Sequence, residues 1–436
     1  MKVLLLFPAL ILLTATKQDA DRLNQPDCHA LVDVLELGFP VAAEWRVLTF
    51  QSVGAGRLHS CGVTTAGAAY CWGNNPGGQL GDGTSQRASN VPVAVSGGLT
   101  FQSVDVGRDH VCGITTAGAA YCWGGGTRYS RVPQPRNPGR QPDRSEDPTM
   151  WRYSPSNVPV EVSGGLLFES VSAGYLYSCG LTAAGAAYCW GINSKGQLGA
   201  GERDPFGVRT APVAVSGGLR FQSLSAGDDS HTCGVTTGGA AYCWGSNVAG
   251  ELGTETIQPG TTIRSLIPVA VSGGLTFQSV SAGFRHTCGV TTAGAAYCWG
   301  NNNFGQLGDG TATRSNVPVA VSGGLTFQSV SAGTTHTCGV TTAGVAYCWG
   351  RNAYGERGDG TRQPNNVTVN LPVAVSGDFR FRSVSAGGDS HTCGVTTAGV
   401  AYCWGGGGVG QRGDGTWGTT PGWVPVAVAG GLDSNP

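Results

Sequence analysis

At 436 residues with 73 glycines, only 12% charged residues and a formal charge of −1, the chain can bury a large core and carries no excess of either sign. Its 26 basic residues form no basic run, so the electrostatic stripe of a nucleic-acid binder is missing and no nucleic-acid partner is expected.

In chain order, Met1-Lys2 precedes the apolar run Val3–Leu13, the layout of a secretory signal peptide over residues 1–20. The run is too short to span a bilayer, so no membrane span is expected. Residues 21–46 read as a leader holding an unpaired Cys28 and a degraded strand at Pro40-Val41-Ala42.

From residue 47 to 432 one unit recurs, seen best in Phe277–Thr311. Two cysteines ten positions apart mark it as Cys61/Cys71, Cys112/Cys122, Cys179/Cys189, Cys233/Cys243, Cys288/Cys298, Cys338/Cys348 and Cys393/Cys403. Spacings of 50 to 67 residues between successive first cysteines denote a repeat array rather than independent domains. Each unit carries four short apolar or alternating runs, in the reference copy Phe277–Ala282, His286–Thr291, Ala295–Trp299 and Pro318–Val321, which read as four strands. Thr292-Ala293-Gly294 suits a hairpin turn whose glycine adopts a left-handed backbone. That turn sets Val290 against Ala296, Gly289 against Tyr297 and Cys288 against Cys298, a non-hydrogen-bonded pair close enough to be bridged. Gly289 leaves room for the Tyr297 ring, and both faces of the sheet are apolar. Neighbouring repeats must cover them, which gives an all-β, seven-bladed propeller of four-stranded antiparallel blades, with the Val424–Val428 strand either finishing blade 7 or shared with blade 1.

Fourteen cysteines in seven facing pairs read as seven disulfides and point to an oxidising compartment: secreted, periplasmic or cell-surface. Zinc ligation is the competing reading, but the pairs lack the two-residue spacing of zinc sites.

Variation between copies separates two faces. The links carrying Thr-Ala-Gly and Ser-Gly-Gly are monotonous, whereas the first-to-second and third-to-fourth strand links differ from blade to blade. The variable face holds Arg57, Arg108, Tyr175, Phe284, Arg285, Phe304, Arg351, Tyr354 and Trp417. It also holds a Pro- and Arg-rich loop insertion at 125–157 in blade 2, with Arg128, Tyr129 and Trp151. Exposed aromatics and arginines on variable loops are the composition of a recognition surface, so these residues are the candidate binding face.

His59, His110, His231, His286, His336 and His391 occupy one position in six blades, with Tyr177 in the other. The tyrosine suits a local hydrogen bond to backbone better than a metal ring. One tryptophan per blade (Trp72, Trp123, Trp190, Trp244, Trp299, Trp349, Trp404) suits packing between blades. Asp82, Asp309, Asp359 and Asp414 in Gly-Asp-Gly are turn formers rather than calcium ligands. No nucleophile, acid/base pair or phosphate-cradling loop rises above the repeat background, so neither enzymatic activity nor a cofactor or metal is expected.

The run Gly-x-x-His-x-Cys-x-Val-Thr-x-x-Gly-x-x-Tyr-Cys-Trp-Gly followed by Gly-Gln-Leu-Gly-Asp-Gly resembles the repeat of the regulator of chromosome condensation family, over most of the chain. The resemblance implies the seven-bladed propeller and says far less about activity, since that fold hosts several unrelated ones. The expectation is an exported protein of the secreted bacterial kind, monomeric, acting as a non-enzymatic protein-binding or inhibitory module. The alternatives are guanine-nucleotide exchange on a small GTPase, which the family name implies, and a purely architectural surface role.

Overall fold

The computed structural model describes the backbone of residues 48–85, 87–131, 151–202, 204–255, 263–362, 369–388, 390–418 and 420–430, and the side chains of all of these except 126–131, 151–154 and 204–207. The expected signal peptide, the leader with Cys28 and the centre of the blade 2 insertion lie outside the described residues.

Seven four-stranded antiparallel sheets follow one another, each with its strands in sequence order. They span Phe50–Ala94, Phe101–Glu161, Ser170–Ala214, Phe221–Ala270, Phe277–Ala320, Phe327–Ala374 and Phe381–Ala427, blades 1 to 7. In blade 5 the strands are Phe277–Ala282, His286–Thr291, Ala296–Gly300 and Ser315–Ala320. The register of the central hairpin is the expected one: Val290 pairs Ala296, Gly289 pairs Tyr297 and Cys288 pairs Cys298. Gly294 closes the turn at φ 82°, the left-handed backbone that glycine adopts without strain.

Disulfides join Cys61 to Cys71, Cys112 to Cys122, Cys179 to Cys189, Cys233 to Cys243, Cys288 to Cys298, Cys338 to Cys348 and Cys393 to Cys403, one in each blade. In every blade the first cysteine lies on the second strand and faces its partner on the third. Their Cα separations of 4.0 to 4.1 Å are shorter than the roughly 4.5 Å usual for a non-hydrogen-bonded pair. All fourteen cysteines are buried, which makes the bonds interior features rather than surface clips. Cys288, Val290, Ala296 and Cys298 of blade 5 form one apolar cluster with Phe327, Ala332 and Trp349 of blade 6. A core of this kind sits at each junction between blades, so no blade buries its own apolar faces alone.

One expectation is corrected here. Gly289 makes room for Phe277 rather than for its cross-strand partner Tyr297: a β-carbon at Gly289 would lie 2.7 Å from Cδ1 of Phe277. The phenylalanine thereby reaches Trp299, with ring centroids 5.9 Å apart.

Closure uses no exchanged strand. Gly422–Ala427 is the fourth strand of blade 7, and blade 1 supplies all four of its own. Packing joins the ends instead, with Phe50, Val53 and Trp72 of blade 1 against Cys393, Val395 and Cys403 of blade 7. At the axis, Gly388 N–H donates to the Gly56 carbonyl at 2.8 Å. The outer strands are exposed sheet edges. Each carries a mid-strand proline, such as Pro318, which removes a donor and blunts pairing with other chains.

The insertion in blade 2 is less of a loop than its composition suggests. The third strand continues to Arg131 and the fourth begins at Trp151, with Tyr129 paired to Tyr153 and Arg131 to Trp151. Thr127, Tyr129, Trp151 and Tyr153 are strand formers, and their pairing extends the hairpin beyond the other blades.

Candidate protein-binding face

The variable links end on the side of the ring where the second strands begin. There the candidate residues gather into two stacked groups and a cavity. In the first group the Arg108 guanidinium lies 5.2 Å from the Tyr175 ring centroid and 5.5 Å from that of Phe284. Blade 2 thus reaches both its neighbour and blade 5 across the axis. Arg285 lies 5.1 Å from the same Phe284 ring and pairs with Asp229 at 2.5 Å. In the second group Arg351 lies 5.8 Å from Phe304 of blade 5 and 5.4 Å from Tyr354 of its own blade. A planar guanidinium over an aromatic face is electrostatically favourable, worth roughly 0.5 to 1 kcal/mol at exposed sites. The stacks hold long side chains in place on a surface otherwise built of loops.

The cavity, about 470 Å3, opens between the loops of blades 1, 2 and 3. Arg57, Asn74, Gln79 and Asp109 bring polar atoms to its wall, and Leu58, Tyr175 and Leu176 bring apolar surface. Leu176 has φ 58°, a left-handed backbone that a leucine rarely adopts. Gln79 escapes a reading of the variable links because it belongs to the repeated turn, and Asn74 and Pro76 lie in the variable third-to-fourth link but are neither aromatic nor cationic; only the neighbouring blades make them part of a cavity.

Of the candidate residues, Arg57 lines the cavity, Tyr175 lines it and joins a stack, and Arg108, Phe284, Arg285, Phe304, Arg351 and Tyr354 stack. Tyr175 and Tyr354 are 38% and 46% exposed, so their rings remain available to a partner. Trp417 in blade 7, 55% exposed, joins neither group. The backbones of Arg128, Tyr129 and Trp151 lie on the extended hairpin, and their side chains lie outside the described ones. The disulfides take no part in this face. Their third-strand members, Cys71, Cys122, Cys189, Cys243, Cys298, Cys348 and Cys403, are buried like their partners, so they support the surface without reaching it.

The histidine row is buried, and its bonds run between blades rather than to local backbone. His286 Nε2 meets the Thr337 hydroxyl of blade 6 at 2.9 Å, and Thr337 donates its one proton to the Gln306 carbonyl. The imidazole must then be the donor, which fixes the neutral Nε2–H form. Burial lowers His59, His231, His286 and His336 to about 3 and His110 to about 4. In blade 3 the Tyr177 hydroxyl donates to the His231 carbonyl and accepts from Thr232 at 3.1 Å, so the ring tolerates tyrosine there. Among the described residues no group of three His, Cys, Asp or Glu side chains could hold a metal.

The Gly-Asp-Gly aspartates act as turn formers. Asp309 accepts from the Thr311 N–H and hydroxyl, both at 2.9 Å. In blades 6 and 7 the preceding leucine is arginine, and Arg357 and Arg412 bury against Asp359 and Asp414 at 2.6 and 2.9 Å.

Seven sheets of this register around a glycine-lined axis define a propeller of regulator-of-chromosome-condensation repeats. The RCC1-like domain model matches residues 139–433, and repeat models of the same family match 66–114, 50–79 and 101–129. The chain belongs to the RCC1-like domain family. It is 31% identical over 260 residues to the ultraviolet-B receptor UVR8 of Arabidopsis thaliana, covering 59% of this chain and 54% of that one. It is 26% identical over 255 residues to the probable E3 ubiquitin-protein ligase HERC6 of Homo sapiens, covering 58% and 24%. The chain thus spans about half or less of these relatives. Among solved structures, yeast RCC1 (Prp20), seen bound to Kap60, superposes with a TM-score of 0.67 at 19% identity over 88% of this chain and 86% of that one. Human WBSCR16 superposes with 0.66 at 19% identity over 80% and 88%. These likenesses show the fold. Among the described residues no helix is long and apolar enough to cross a membrane.

Proposed function

We propose that this chain is an exported, non-enzymatic RCC1-like propeller of the bacterial kind that binds another protein, in an inhibitory or scaffolding role, through its variable face. The observation that carries the reading is the gathering, on one face of a disulfide-stapled ring, of two arginine–aromatic stacks and a cavity. Planar, pre-organised aromatic and guanidinium groups are the usual anchors of protein interfaces. Seven buried disulfides suit an oxidising compartment, and the apolar run Val3–Leu13 supplies a route there. Yeast Prp20 is described with its binding to Gsp1p and histones, which favours protein recognition as the use of this fold.

The test is capture from the extracellular or periplasmic fraction by the purified oxidised protein. Wild type is compared with Arg108→Ala/Phe284→Ala and with a control, Thr292→Ala, on the monotonous face. Binding lost in the first variant and kept in the second supports the reading; equal capture by all three contradicts it. Recovery from the cytosol with reduced cysteines would instead favour the small-GTPase regulator.

A further inference from the structure

Six of the seven junctions between blades share two side-chain hydrogen bonds. One joins the histidine position to a hydroxyl of the next blade: His391 to Ser60 at 2.9 Å, His110 to Ser178 at 2.8 Å, Tyr177 to Thr232 at 3.1 Å, His231 to Thr287 at 3.0 Å, His286 to Thr337 at 2.9 Å and His336 to Thr392 at 2.9 Å. The other runs from the last amide of a first strand to a side chain of the preceding blade. Ala55 donates to Ser385, Ala226 to Ser172, Ala282 to Ser225, Ala332 to Ser281 and Ala386 to Ser331, at 2.9 to 3.0 Å, and Ala173 donates to Asp105 at 2.7 Å.

The junction of blades 1 and 2 has neither. Val111 stands where the hydroxyl belongs, and both ring nitrogens of the fully buried His59 are without a hydrogen-bond partner. Gly54 stands where the serine belongs and offers the Val106 amide no side-chain acceptor. Gly54 and Val106 are matched in size, because a β-carbon at Gly54 would lie 2.8 Å from Val106 Cγ2. Near the axis this junction is bridged by Arg57 N–H to the Arg108 carbonyl at 3.4 Å, a length that the Thr334 N–H bond to the Gly387 carbonyl between blades 6 and 7 shares, so the two missing side-chain bonds are what set it apart. Apolar packing, the Trp123 Nε1–H bond to the Gln79 carbonyl at 3.1 Å, the side-chain bonds from Gln51 Nε2 to the Gln102 carbonyl at 2.7 Å and from Asn157 Nδ2 to the Gly83 carbonyl at 2.5 Å, and surface backbone bonds remain. A buried imidazole without a partner costs stability, and apolar contact carries no directional constraint.

We propose that the junction of blades 1 and 2, and not the point where the chain ends meet, is the built-in opening point of the ring. It separates transiently ahead of the other junctions, and the cavity lined by Arg57, Asp109 and Tyr175, which straddles it, widens as it does. The proposal needs no binding partner, so a failed capture experiment leaves it standing.

The test is native-state hydrogen exchange on the oxidised protein, resolved by peptide. Segments 50–64 and 101–115 exchange about tenfold faster than 277–291 and 327–341, the fold-change for loss of about one net hydrogen bond in a local opening. Val111→Thr, which offers His59 a hydroxyl at nearly constant volume, slows exchange at this junction alone by a similar factor. The double variant Gly54→Ser/Val106→Ala, which restores the other bond without the clash, does the same. Thr337→Val builds the histidine defect between blades 5 and 6 and raises exchange there. Fastest exchange at another junction, or unchanged exchange at this one in both repair variants, overturns the proposal.

Discussion

His286 and Thr337, both fully buried, meet across the junction of blades 5 and 6 at 2.9 Å, and the threonine passes its own proton to the Gln306 carbonyl. One hydroxyl thus ties three chain segments together. Thr337→Val strands the imidazole N–H, while the Gln306 carbonyl keeps its bond from the Trp349 Nε1–H at 2.9 Å, and is expected to destabilise by about 1 to 3 kcal/mol. Thr337→Ser keeps the hydroxyl and should lose less. Denaturant midpoints of the two variants at pH 7 check this.

The same neutral imidazoles set the acid response. Burial holds His59, His231, His286 and His336 near 3 and His110 near 4, against about 6.5 in the unfolded chain. Below pH 6.5 the unfolded state binds protons that the folded state refuses, so their stabilisation is complete above pH 6.5 and is lost progressively as pH falls toward about 3. The raised carboxyls of Asp105, Glu251 and Glu356, displaced by burial, act with the opposite sign but are fewer. Stability measured by urea unfolding should decline from pH 7 to 5, with net proton uptake on unfolding.

At the axis, glycine is required by close approach rather than by backbone angle. A β-carbon at Gly283 would lie 2.4 Å from the Gly333 carbonyl oxygen, and backbone cannot move aside as a side chain can. Gly283→Ala is expected to cost more than about 2 kcal/mol, the range of overpacked interiors. Gly323→Ala meets no such contact, as its nearest neighbour is a Leu325 side-chain atom at 4.0 Å; it bears only its φ of 100°. Melting temperatures of the pair separate crowding from conformational strain.

What the sequence made legible is what lies within one repeat. The turn glycine Gly294 and the alternation along His286–Thr291 are local, so strand positions and the Cys288–Cys298 register follow from them. What crosses between repeats was hidden. The hydroxyl that meets each histidine and the reach of Arg108 from blade 2 to Phe284 in blade 5 depend on how sheets tilt around the axis, whereas the Phe277 ring that needs Gly289 lies within one blade and depends on the direction of a side chain rather than on strand register. A signal for one of these did exist in the sequence: Val111 departs from the Ser or Thr of the other copies at the position that faces His59.

Each disulfide closes a short loop inside a junction core. Replacing Cys288 and Cys298 together by serine is expected to cost about 2 to 3 kcal/mol from loop closure alone. Two hydroxyls in an apolar cluster add to this. The paired alanine variant isolates the loop-closure part, and thermal unfolding without reductant measures both.

On the binding face, Arg108→Ala and Arg351→Ala should lower the melting temperature little, since cation–π contacts of this exposure are worth roughly 0.5 to 1 kcal/mol. Affinity for a captured partner should fall at least about tenfold for whichever stack lies at the interface centre. Calorimetric titration of each variant against that partner separates loss of recognition from loss of fold.

The most direct measurement is the thiol count of the protein as its own cell makes it, by alkylation in denaturant without reductant followed by intact mass. Fourteen of its fifteen cysteines are paired in the structure. The account predicts a product lacking residues 1–20 or thereabouts that takes up at most one label, at Cys28. A full-length product that takes up a label at every cysteine would contradict it.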